Sequence, residues 1–409
     1  MDIFEKCYSY DRDLTAIDLG IYPYFHKLTS GQDCEVEIEG RHTYMLGSNN
    51  YLGLTADPRV KEAAIKGIEK YGTGCSGSRF LNGNLDIHEA LEEDLAKFLN
   101  KEACLTFSTG FQSNLAIISA LAGRGDIIVA DSMNHASLID ASRLSFAKKV
   151  LKYRHSDMDD LEKKLRFAQQ QGDVGILIVT DGVFSMEGEI CKLPEIVRLA
   201  KQYGARIMVD DAHSLGVLGE GGRGTASHFG LEDEVDIIMN TFSKTLASLG
   251  GCVVGPRDVI RYIKHCSRPF IFSASIPPGQ VAAAHKSLQI LKEEPWRVER
   301  LHEIVRLMKA KFKTMEHVQL RETGNELVPI LPLLTGTAGR TMFTSNLLLQ
   351  NGIYVNPVFP PVVPQDSCLL RSSYMATHSD EQLELAAQII ERCFAEIDAM
   401  DRSQFDINF

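Results

Sequence analysis

Between residues 100 and 240 the chain carries five short apolar runs, at 103–107, 127–130, 176–180, 206–209 and 237–239, separated by stretches long enough for helices. None alternates apolar with polar residues, which is the pattern of strands covered on both faces, as in a mostly parallel sheet clothed in helices. The expected fold class is α/β. Each run ends in polar residues: Ser108-Thr109-Gly110, Asp131, Asp181, Asp210-Asp211 and Asn240-Thr241. Ligands of such sheets bind beyond the carboxyl ends of the strands, so these residues are expected to line the site.

The flanks read differently. Residues 1–45 are polar, with a strand-like alternation at 35–39 and a Gly40 turn, and read as an N-terminal arm. The large domain then spans 46–284. Beyond about 285, Leu301, Val305, Met308 and Phe312 recur at helical spacing behind Pro295 and Trp296, and a proline-rich stretch follows at 356–364. A smaller α+β C-terminal domain is expected over 285–409.

Charge and composition narrow the partners. Lys plus Arg number 43 against 54 Asp plus Glu, a formal charge of −11, which disfavours binding to nucleic-acid phosphates. The longest apolar run, 115–122, is broken by Ser119 and falls short of the ~20 residues of a membrane span. The first residues mix charges of both signs, unlike a secretory signal. Nine scattered cysteines without a Cys-x-x-Cys pair suggest reduced thiols in a cytoplasmic protein and no zinc site.

The chemistry concentrates in two strand ends. Asp210 and His213 follow one apolar run, and Thr241, Ser243 and Lys244 follow the next. Pyridoxal 5'-phosphate needs such a set: a lysine amine for the Schiff base and a carboxylate against its pyridinium nitrogen. His213 is placed to hydrogen-bond the ring's phenolic oxygen. The cofactor's phosphate belongs at a helix N-terminus, where free amides face an anion. Residues 108–112, between a strand and an apolar helix, supply one through Gly110 and Phe111, and the hydroxyls of Thr241 and Ser243 add to it. His135, just past the strand ending at Asp131, offers a flat imidazole to stack on the ring and hold a substrate carboxylate. Residues 72–77 (GTGCSG) match a dinucleotide fingerprint, but the preceding 60–71 read as a helix where that fingerprint requires a strand. NAD binding is therefore disfavoured, and a loop next to the active site is expected instead.

Together the motifs at 47–53 (GSNNYLG), 72–79 (GTGCSGSR), 88–92 (HEALE), 108–111 (STGF), 134–137 (NHAS), 181–188 (DGVFSMEG), 210–213 (DDAH) and 241–244 (TFSK) resemble the α-oxoamine synthases. These are pyridoxal-phosphate enzymes of the aspartate-aminotransferase fold, and the likeness runs from about residue 45 to Arg371. Residues 107–114, 224–230 and 374–378 are most similar to the branch that condenses L-serine with a long-chain acyl thioester. The resemblance implies that Lys244 carries the cofactor and removes the α-proton, with Asp210, His213 and His135 around the ring. It implies Arg371 as the substrate-carboxylate arginine and Asn50 and Ser185 as second contacts. Family members are homodimers with sites at the subunit interface, so Ser273 is expected to reach the partner's cofactor. One departure stands out: Phe359 precedes Pro360-Pro361, where some relatives carry arginine. Other members use alanine, glycine or cysteate, so the amino acid, the acyl length and the carrier (CoA or a carrier protein) stay open, as does contact with a membrane surface. A non-catalytic partner subunit is disfavoured by Lys244, Asp210 and His213 occurring together.

Overall fold

The computed structural model describes residues 2–360 and 363–405. Two compact units emerge: residues 49–302, and 1–48 together with 303–409.

The larger unit is built on seven strands: β1 (Ala103–Phe107), β2 (Asp126–Asp131), β3 (Lys149–Tyr153), β4 (Gly175–Asp181), β5 (Arg206–Asp210), β6 (Ile237–Thr241) and β7 (Gly251–Gly255). Their order is β1-β7-β6-β5-β4-β2-β3, with β7 antiparallel to both neighbours and the other pairs parallel. The five apolar runs are strands, as expected from their unbroken hydrophobicity. Ile127, Val129, Ile207 and Val209 feed one core, while Ile128, Ala130, Met208 and Met239 feed another on the opposite face. Burying each such aliphatic side chain stabilises the fold by roughly 1.5–3 kcal/mol, so a charge at Val209 would break the centre of the sheet.

Helices cover both faces. In chain order they include α1 (Pro58–Tyr71), α2 (Asp86–Phe98), α3 (Gly110–Leu121), α4 (Ala136–Leu144) and α5 (Pro278–Glu293). Sequence explains their starts. Asp57 caps α1 by accepting from Arg59 N ahead of Pro58, and Thr109 caps α3 by accepting from Gln112 N at 3.1 Å. Residues 60–71 are helical, so the glycines at 72–77 follow a helix and not a strand. Their loop packs on 275–276, where Ser275 N donates to Gly77 O at 3.0 Å.

The smaller unit has a four-stranded antiparallel sheet of Gln319–Leu320, Ile330–Gly336, Cys368–Ser373 and Asn356–Val358. Its core joins Val305, Met308 and Phe312 of helix Trp296–Thr314 to Leu331, Leu370, Ile390 and Phe394. The segment expected to be a separate arm belongs here. Strands Glu35–Ile38 and Arg41–Met45 form a hairpin, and the second pairs in parallel with Ile353–Tyr354. The boundary expected near 285 falls inside α5, which packs on α1 and α2 of the larger unit. Phe359 is buried edge-on to Tyr24 at 5.8 Å, an apolar packing role where an arginine would be charged. Pro361 of the double proline lies outside the described residues. Among the described residues every cysteine is a free thiol, and no helix is long and apolar enough to cross a membrane.

Candidate active site

The parallel register aligns the carboxyl ends of the central strands. Asp181 pairs with Asp210, Asp210 with Met239, and Thr241 with Gly251. Because side chains alternate across a strand, Asp210, Met239 and Thr241 share one face and Asp211 and Asn240 take the other. A cleft of about 310 Å³ opens on the first face. Nine residues singled out from sequence line it: Gly110, Phe111, His135, Ser185, Asp210, His213, Thr241, Ser243 and Lys244.

Each is fixed by its local structure. Asp210 is buried, with Oδ1 accepting from Ala212 N at 3.0 Å and Oδ2 from Asn114 Nδ2 at 2.7 Å. His135 caps α4; its backbone N–H donates to Asp181 Oδ2 at 2.8 Å and its Nδ1 lies 2.7 Å from Ser137 Oγ. Its ring faces the open cleft, yet the surrounding protein desolvates it enough to hold the imidazole below its usual pKa; Asp210 pulls the other way and Lys244 adds to the lowering. Burial pushes the Asp181 carboxyl well above the usual range, with the charge of Asp210 adding to it. His213 is held through Nδ1 by the hydroxyl of fully buried Tyr51 at 2.6 Å.

One end of the cleft is built for an anion. The first amides of α3 lack intrahelical partners and carry the positive end of its dipole. Gly110 is required there, since a Cβ would meet Thr241 Oγ1 at 2.8 Å and Cβ at 2.9 Å. Thr241 and Ser243 bring two hydroxyls 2.9 Å apart. Lys244 follows on a turn that the sequence presents as a flexible small-residue run. The structure ties that turn down: Thr245 Oγ1 donates to Leu215 O at 2.6 Å, Ser248 N to Phe242 O at 2.9 Å, and Phe242 N to Gly250 O at 2.9 Å. An anion cradle, a buried carboxylate, two imidazoles and an amine in one cleft fit a flat, phosphate-bearing pyridine aldehyde.

Three expected residues, Ser273, Asn50 and Arg371, are not among those that line this cleft. Ser273 lines a separate cavity beside Phe107, Ser108 and Gln112. Asn50 is buried, its Oδ1 accepting from Leu54 N at 2.9 Å and Thr55 N at 3.3 Å, so it organises the turn at 50–55. Arg371 belongs to the smaller unit, buried, with Nη1 donating to Ser373 Oγ at 2.8 Å. The loop at 72–83 is not among the residues that line the cleft. Of the strand-end polar residues, Ser108, Asp131, Asp211 and Asn240 are absent from that lining. Asp211 is buried, accepts from Thr225 N at 3.0 Å and is pushed up to about 6 by burial, against the hydrogen bonds of Thr225 and Ser214.

Sequence reasoning gave no roles to Asn114, Ser137 and Tyr51, which hold the cleft's ionisable groups in place. Behind the cleft sits a second cluster. His155 Nδ1 lies 2.9 Å from Asp131 Oδ1, its Nε2 3.4 Å from Glu189 Oε2, and its ring edge-on to Phe184 at 4.4 Å. Burial lowers this imidazole's pKa, but the hydrogen bonds of Asp131 and Glu189 outweigh it and push the pKa up to about 10.

Comparison with known proteins agrees with this geometry. Residues 41–390 match the family model of aminotransferase class I and II. A serine palmitoyltransferase of Sphingobacterium spiritivorum is 52% identical over 387 residues, covering 93% of this chain and 94% of that one. One from Bacteroides thetaiotaomicron is 46% identical over 400 residues, covering 97% and 99%. Among solved structures, a variant serine palmitoyltransferase from S. paucimobilis with PLP and myriocin bound superposes with a TM-score of 0.92 at 33% identity, covering 98% of this chain and 100% of that one.

Proposed function

The chain belongs to the aminotransferase class I and II family, as an α-oxoamine synthase, and from that premise we propose that it is a serine palmitoyltransferase. It condenses L-serine with a long-chain acyl thioester such as palmitoyl-CoA, releasing carbon dioxide and the thiol and yielding 3-oxosphinganine, the first step of sphingolipid synthesis. The observation that carries this reading is full-length identity of 52% to an enzyme of that name, combined with a cleft that assembles an amine, a carboxylate and an anion cradle.

Bound pyridoxal 5'-phosphate supplies an electron sink for the charge left when a bond to the amino acid's α-carbon breaks. The chain's residues do the rest. The α3 amides at Gly110 and Phe111, with the hydroxyls of Thr241 and Ser243, hold the phosphate. Asp210 keeps a proton on the ring nitrogen, and His213, braced by Tyr51, serves the phenolic oxygen. His135 would flank the bound cofactor and orient the substrate, whose α-proton would pass to Lys244 Nζ; fixing that C–H direction would be a positioning contribution. Ser185 and Asn50 add contacts, Arg371 takes the substrate carboxylate, and Ser273 completes the partner's site in a homodimer. Free thiols throughout suit a reducing cytoplasm.

Borohydride reduction of the pyridoxal-phosphate-loaded protein, followed by peptide mapping, should place the label on Lys244. Lys244→Ala should lower condensation by about 10³-fold or more. In a panel of amino acids and graded acyl-CoAs, serine with palmitoyl-CoA should give the fastest product. A label elsewhere ends the reading; faster condensation of alanine or cysteate ends the substrate assignment and leaves the family intact.

A further inference from the structure

The wall of the cleft contains an unbroken chain of four polar side chains. Asp210 Oδ2 accepts from Asn114 Nδ2 at 2.7 Å, the same nitrogen donates to Ser137 Oγ at 2.8 Å, and Ser137 Oγ lies 2.7 Å from His135 Nδ1. Asn114, Ser137 and Asp210 are each more than nine-tenths buried, so water does not compete for the bonds among these three.

Counting protons along the chain, together with the backbone N–H of Ser137, selects one arrangement. The Asn114 amide must turn its NH₂ to Asp210, because its oxygen would otherwise face a carboxylate, acceptor against acceptor. Its two N–H bonds are then used, one on Asp210 and one on Ser137. Ser137 Oγ accepts from Asn114, which leaves its single proton free to go to His135 Nδ1. The backbone N–H of Ser137 also points at that nitrogen, at 3.3 Å. A ring nitrogen receiving two donors carries no proton of its own, which puts the proton of the neutral imidazole on Nε2.

We propose that Asn114 and Ser137 are positioning residues that lock His135 in its Nε2–H form, so that it presents one hydrogen-bond donor to the carboxylate of the incoming amino acid, with the lock anchored on Asp210. This rests on the reading above, in which His135 meets the substrate. The chain joins the group that governs the ring nitrogen to the group that orients the amino acid. Neither could be rearranged without disturbing the other. Besides Asp210, the titratable groups near His135 are Lys244, which lines the cleft, and Asp181, bonded to its backbone N–H.

The test uses histidine labelled with ¹⁵N in the full-length protein, with and without pyridoxal phosphate, and His135→Gln to assign the signal. His135 should show an unprotonated Nδ1 and a protonated Nε2. Ser137→Ala should give averaged signals from both tautomers and raise the dissociation constant for L-serine, read from the cofactor's visible band, by about 10-fold, with cofactor affinity within 2-fold of the parent. Ser137→Thr should restore both readouts, and Asn114→Ala should reproduce the tautomer mixture independently. An unchanged tautomer in Ser137→Ala overturns the lock. Tautomer mixing with unchanged serine affinity overturns the donor role. Neither result alters the labelling of Lys244, which alone decides the broader functional reading.

Discussion

Two imidazole–carboxylate clusters lie at the carboxyl ends of the sheet's strands, and they handle charge in opposite ways. In the cleft, His135 reaches Asp210 only through Ser137 and Asn114, a hydroxyl and an amide. It is held below its usual pKa. Behind the cleft, His155 touches Asp131 and Glu189 directly and is pushed up to about 10. An imidazole in contact with carboxylates is a fixed cation, suited to clamping loops. One separated from its carboxylate by neutral relays stays uncharged and can offer a single proton to a ligand.

The sharpest way to break this contrast is to remove the charge at the front. Asp210→Asn keeps the shape of the side chain but loses the anion, and condensation should fall by about 10³-fold with the thermal midpoint little changed. Comparable activity in that variant would mean that the front cluster does not depend on its carboxylate. The back cluster should behave the other way. His155 bridges the loop that starts at Asp131, where Met133 N donates to Asp131 Oδ1 at 2.8 Å, and the loop of 182–190, where Ser156 Oγ donates to Glu189 at 2.5 Å. His155→Gln should therefore lower unfolding free energy by about 2 kcal/mol, discounted from a fully buried pair because the ring is 22% exposed. Activity should drop less than in Asp210→Asn. Denaturant titration beside a kinetic assay separates the two effects.

The sequence made the front cluster far more legible than the back one, and the reason is physical. Lys244, Asp210 and His213 follow strands whose unbroken hydrophobicity marks them as buried on both faces, and the chemistry of one cofactor demands that set of residue types. Asn114 and Ser137 act through neighbours 96 and 2 positions away, the first of which only the packing of α3 on the sheet brings close. His155 pairs with Asp131 and Glu189 by the same kind of long-range contact, and no cofactor calls for it. Two strands also escaped the hydrophobic pattern. β3 lies at the sheet edge with Lys149 and Lys152 exposed, so it lacks a continuous apolar run. β7 opens on Gly250-Gly251, read as loop, although a Cβ on Gly251 would meet Ser113 Oγ at 2.6 Å and the α3 backbone at 2.9 Å. The domain boundary went astray because α5 is amphipathic like the helix after it, and composition does not say which core a helix joins.

The smallest expected signal is a pH dependence that isolates the back cluster. An unfolded histidine titrates near ~6.5, whereas His155 in the native protein titrates at about 10. Between those values the folded state binds the extra proton, so stability falls as pH rises. The cluster's contribution is fully present below pH ~6.5 and is lost as pH passes through about 10. Tyr153, which neighbours Asp131, is raised by burial well above the usual phenol range and stays protonated across this window, while other carboxylates and amines titrate in the protein as a whole. The comparison must therefore be a difference: the stability gap between the parent protein and His155→Gln should be widest near pH 6 and shrink steadily toward pH 10. A gap that stays constant across that range would mean His155 is neutral in the native state, and the charge contrast between the two clusters would vanish. A gap that closes while the ¹⁵N signal of His135 keeps its Nε2–H form over the same range would show that the two imidazoles, though anchored on neighbouring strands, titrate independently.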